Sequence, residues 1–152
     1  MGGPTRLHGE TRRILEAAGW HVDRAVDTAR WEAELVADGF PQLHPVDIRF
    51  LSEFGGLVVP HGGAGVTRAR ESLTLVPTDC SGEADRFAAW GKKIGRNIAP
   101  IGELAGGTCS WANLGIDEHG DVYLVIDRLA TFGCMPRALD RLVLGHMPRD
   151  IT

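Results

Sequence analysis

Apolar residues in this chain fall first at helical spacing and later in alternation. Leu7, Thr11, Ile14, Leu15 and Ala18 mark one face of a first helix, stopped by Gly19. Trp20 follows the glycine, where a residue packs back onto the last turn, here onto Leu15. The same grammar recurs in LVADGF, with Leu35, Gly39 and Phe40. Trp31 and Leu35 give that second helix its apolar edge, and Asp27 or Thr28 its cap. A third helix follows Pro45 and carries Val46, Phe50, Leu51 and Phe54 on one face. Gly55 is expected to close it in the left-handed conformation, with Gly56 freeing the exit. Leu57, Val58 and Val59 then read as a short buried strand.

Pro60 to Ser72 has no apolar period and reads as a mobile loop. Ser72 to Pro77 alternates and predicts a strand; Ser81 to Ile94 predicts a helix with Ala84, Phe87, Ala88, Gly91 and Ile94 along one side. Asn97 to Leu104 contains Pro100, which places it at a sheet edge or in a bulge. Ser110 to Ile116, the turn DEHG and the arm DVYLVI form a β-hairpin. Its second arm is apolar on both faces, as expected of a covered central strand. A last helix starts near Pro136 with Leu139, Leu142 and Val143 and ends at Gly145. Helices first, then mostly strands, predict one α+β domain with a largely antiparallel or mixed sheet flanked by helices. The expected boundaries are a flexible 1–6, a domain over 7–148 and a C-terminal tail at 149–152.

At 152 residues the chain can bury a core without disulfides or metal. A net charge of −4 argues against direct nucleic-acid binding, which calls for a basic stripe. Cys80, Cys109 and Cys134 are odd in number and widely spaced, with no CxxC, so a reducing, cytoplasmic setting fits. No stretch has membrane-spanning length.

Catalytic motifs are scarce in the chain. HGGAG at 61–65 lacks both the dinucleotide and the P-loop pattern, with Arg68 where a glycine is needed. Among the six histidines no pair stands at i, i+4, so no metal site and no cofactor is expected. Cys109 and Ser110 do not form a nucleophile elbow. Cys80 at a helix start and His119 in the hairpin turn keep open a small enzyme as an alternative. What stands out is an acidic, aromatic set comprising Asp79, Glu83, Trp111, Asn113, Asp117, Glu118 and Asp127. Such a set reads either as a solvated face around a core tryptophan or as a protein-binding face with an aromatic anchor and an acidic rim.

The segments LEAAGW, DGFPQLHPVDIRFLSEFGGLVV, APIGEL, LGIDEHGDVYLVID and RALDRLVLG, in this order, resemble the SUKH superfamily. They are most similar to its third bacterial family, the actinomycete-type immunity proteins. The resemblance spans Leu7 to Pro148, with Asn97-Ile98-Ala99 and the glycine-rich loop at 60–72 as departures. It implies an α+β fold and a non-catalytic cytoplasmic protein, monomer or weak homodimer, that binds and neutralises a cognate toxin domain such as a nuclease or deaminase. The partner-binding residues expected from the acidic, aromatic set are Asp79, Glu83, Trp111, Asp117, Glu118 and Asp127. Phe50, Phe54, Gly55 and Gly56 belong to the fold. The superfamily also includes regulators of cell-wall synthesis, so a regulatory scaffold unrelated to toxins is the alternative.

Overall fold

Three capped helices lead into an antiparallel meander. The computed structural model describes residues 7–60, 62, 65–67, 72–105 and 111–151; the expected flexible segment at 1–6 and most of the loop at 60–72 lie outside them. Helices α1 (Gly9–Ala17), α2 (Ala29–Asp38) and α3 (Pro45–Phe54) precede strands β1 (Val58–Val59) and β2 (Ser72–Thr74). A 3-10 turn at Pro77–Cys80 leads into α4 (Ala84–Ile94). Strands β3 (Ala99–Ala105), β4 (Trp111–Ile116), β5 (Asp121–Val125) and β6 (Leu129–Cys134) come next, then α5 (Arg137–Leu144) and β7 (Arg149–Asp150). The seven strands pair antiparallel in sequence order, and the chain is α+β.

The helix stops behave as their residues dictate. Trp20 N–H donates to the Leu15 carbonyl at 2.9 Å, and Phe40 N–H to Leu35 at 3.0 Å. Leu15, Trp20, Leu35 and Phe40 are all buried. Of the two expected caps of α2, the Asp27 side chain accepts from Ala29 N–H at 3.0 Å, whereas Thr28 donates its hydroxyl to Glu32. His44 caps α3 and also ties it to the sheet: Nδ1 accepts from Asp47 N–H at 3.1 Å, and Nε2 lies 3.0 Å from the Ile116 carbonyl. These two contacts select the tautomer with the proton on Nε2.

The glycine pair works differently from expectation. Gly55 is extended (φ −61°, ψ 142°), and Gly56 takes the positive φ of 86°. Gly55 is needed for space: a Cβ there would lie 2.4 Å from the Leu51 carbonyl oxygen and 2.5 Å from Trp31 Cζ3. The following run is not uniformly buried either. Leu57 and Val59 are buried, but Val58 is 56% exposed, because β1 is the edge strand and shows one face to solvent.

Pro100 does not place its strand at an edge. β3 runs between β2 and β4, and the register shifts between Pro100 and Gly102, so the proline sits at a bulge. On α4, Phe87 and Gly91 are buried and Ala88 faces solvent, so the apolar stripe is narrower than its spacing predicts. β5 is covered on both faces, with Val122, Tyr123, Leu124 and Val125 all buried. β6, which the apolar pattern did not single out, contributes Leu129, Ala130 and Phe132 to the core. Residues 149 and 150 pair with β6 as the last strand. The described part of the glycine-rich loop is tied to the end of α5: Val66 N–H donates to Leu144 at 3.0 Å and Thr67 N–H to Gly145 at 2.9 Å.

Candidate partner-binding face

Helix α4 organises the expected site residues, since they lie at its two ends and beside its middle. Its 11 residues span about 16 Å. Asp79, in the 3-10 turn, and Glu83, just before the first turn, lie at its start. Glu83 pairs with Arg86 at 3.3 Å, a partly exposed contact that contributes little. Burial raises the Asp79 carboxyl from its ordinary value. At the far end, the exposed Glu118 accepts from Asn97 N–H at 3.0 Å and so holds the hairpin turn against the helix exit. Beside the middle, Trp90 Nε1 donates to the Ile126 carbonyl at 2.9 Å, which fixes the turn that carries the exposed Asp127.

Asp117 is the exception. It is completely buried, and both of its oxygens are used up by bonds within the fold, which leaves neither for a partner. Its Oδ1 accepts from the backbone N–H of His119 (2.8 Å) and of Asp121 (3.1 Å), and its Oδ2 from Arg96 (3.0 Å) and the Tyr123 hydroxyl (2.7 Å). A carboxylate so fully bonded organises the hairpin. Trp111 opens β4 opposite Ala105, and its side chain lies outside the described residues. Cys109, Ser110 and His61 also lie outside them.

Cys80 does not have the environment of a nucleophile. It is fully buried, burial pushes its thiol far up, and the thiol donates to the Gly102 carbonyl at 3.3 Å. His119 is exposed in the turn. No group of three or more potential metal-ligating side chains exists among the described residues.

Two residues on the sheet join this face. Glu103 on β3 is partly buried, and its carboxyl is raised by burial and by the charge of Asp79. Asn113 on β4 is completely buried, with neither amide atom hydrogen-bonded among the described residues. The sequence signal for Glu103 is a lone acid in an otherwise apolar strand. That signal does not tell which side of the sheet the acid faces. On the other side, a groove of about 390 Å³ between α3 and the β4 and β6 ends is lined by Arg49, Phe50, Phe54, Ile116, Met135 and Pro136.

The family described as SUKH-3 immunity protein matches residues 7–145. Neither the curated proteins nor the solved structures contain a match to the chain.

Proposed function

The chain belongs to the SUKH-3 immunity protein family, and from that membership we propose that it binds a cognate toxin domain and neutralises it by covering the active site or substrate groove. The observation that carries the mechanism is the run of carboxylates along α4: Asp79, Glu83, Glu118 and Asp127 are partly or fully solvent-facing at its start, end and flank. Such a field complements the basic groove of a toxin that acts on nucleic acid, and it speeds encounter. Trp111 is the aromatic anchor of this reading. The protein acts by binding alone, in the bacterial cytoplasm, as a monomer or weak homodimer, without a cofactor. The buried, protonated Cys80 supports a binding role over a thiol-based enzyme. No described helix is long and apolar enough to cross a membrane.

Co-purification of the tagged protein from its native host tests this. A toxin domain recovered in stoichiometric amount, and inhibited when the purified partners are mixed, is the expected result. Recovery of a housekeeping protein would replace the reading with that of a regulatory scaffold. Recovery of nothing from cells shown to make the toxin would overturn both.

A further inference from the structure

Strand register places three polar residues in a row across the sheet. Thr74 on β2 lies opposite Glu103 on β3, and Glu103 lies opposite Asn113 on β4. Directly opposed residues of antiparallel strands send their side chains to the same face, with Cβ atoms about 4.5–5.5 Å apart. Val125 on β5 stands opposite Asn113 and ends the row with an apolar side chain. The face is the α4 side: a Cβ on Gly115, two residues beyond Asn113, would lie 2.9 Å from Phe87 Cε2. Asp79 precedes Cys80 in the 3-10 turn, and the Cys80 thiol donates to the carbonyl of Gly102, the neighbour of Glu103, at 3.3 Å, which brings that turn against the row.

This row is rich in acceptors and short of donors. Neither Asp79 nor Glu103 forms an ion pair among the described residues. Asn113 is completely buried, yet its Oδ1 and Nδ2 have no hydrogen-bond partner among the described residues. An unsatisfied buried polar group costs about 1–3 kcal/mol, and two neighbouring carboxylates add repulsion. Both carboxyls are accordingly raised, by burial first and, for Glu103, also by Asp79. Asp79 is exposed and Glu103 partly so, and the amide lies deeper.

We propose that Glu103, Asp79 and Asn113 form a receptor for one arginine side chain of the partner protein. This rests on the partner-binding reading above and names the chemistry of its central contact. A guanidinium offers a planar fork of five donors, two of which match a carboxylate. Paired with Glu103, it keeps N–H groups for Asp79 and for the Asn113 oxygen. A lysine supplies the charge without the fork.

Two measurements test the receptor. In the first, methylguanidinium chloride is titrated into the full chain, and the Asn113 side-chain amide and the Glu103 carboxyl are followed by NMR. A saturable shift is expected in the native protein, absent in Glu103→Gln and absent with sodium chloride at equal ionic strength. A shift that does not saturate, or persists in Glu103→Gln, or is reproduced by magnesium chloride, overturns the proposal. In the second, affinity for the co-purified partner is measured. Glu103→Gln should weaken it by about tenfold or more, with a thermal midpoint equal to or above that of the native protein, because a repelled carboxylate is removed. Unchanged affinity overturns the receptor even where partner recovery upholds the immunity reading. A saturable methylguanidinium shift without any partner recovered does the reverse.

Discussion

Tyr123 donates its phenolic proton to Oδ2 of Asp117 at 2.7 Å, the same oxygen that Arg96 reaches at 3.0 Å. The hairpin arm, its turn and the exit of α4 thus meet at one buried carboxylate. Asp117→Ala should cost about 3–5 kcal/mol, as for a broken buried pair, and Tyr123→Phe about 1 kcal/mol. Urea unfolding with matched slopes checks both.

The same bond gives an alkaline signature. Burial, and then the hydrogen bond to Asp117, push the Tyr123 phenol well above its ordinary value. The unfolded chain releases this proton first, near pH 10. The contribution is therefore complete below about pH 10 and is lost as pH rises above it. Tyr123→Phe should remove that part of the alkaline decline in thermal midpoint.

Asp47 is completely buried with both oxygens unbonded among the described residues, and its carboxyl is raised well above the ordinary value by burial and by Glu32. The folded state takes up this proton at higher pH than the unfolded chain does. Its contribution is complete below the ordinary carboxylate value and is lost as pH rises through the folded one. Asp47→Asn should flatten the stability profile over that window and raise stability above it. A profile parallel to that of the native protein would refute this assignment.

Gly55 tolerates no side chain. Its Cβ would meet a backbone oxygen that already accepts the Gly55 N–H at 2.7 Å, besides the Trp31 ring. Gly55→Ala should cost about 1–3 kcal/mol, and adding Trp31→Ala should not restore it, because the backbone clash remains. Gly56→Ala should cost about 1 kcal/mol through its positive φ alone.

His44 holds α3 to the end of β4. His44→Ala removes the cap and leaves the Ile116 carbonyl without this donor, with an expected loss of about 1–2 kcal/mol. His44→Asn should recover the cap share only. Thermal denaturation of the two variants separates the shares.

The sequence by itself determined the elements whose causes are local. The LEAAGW and LVADGF stops, the proline-started α3, the Asp117–Gly120 turn and the apolar second arm rest on spacing and on residues within a few positions. The ordered motifs were enough to mark the family. The tertiary structure decided what depends on distant neighbours. LATFGC is too short and mixed to declare itself, and it becomes β6 because β5 and β7 pair with it. Pro100 sits inside the sheet because a bulge beside it takes up the missing donor. Asp117 looked like a surface acid in a turn, but Arg96, brought from 21 residues earlier, and Tyr123 draw it inside. Glu103 and Asn113 are ten residues apart in sequence, and only the register of β3 on β4 sets them side by side. Side-chain spacing fixes which residues share a face of one element; which charges share a site depends on how the elements pair, and that is a property of the whole fold.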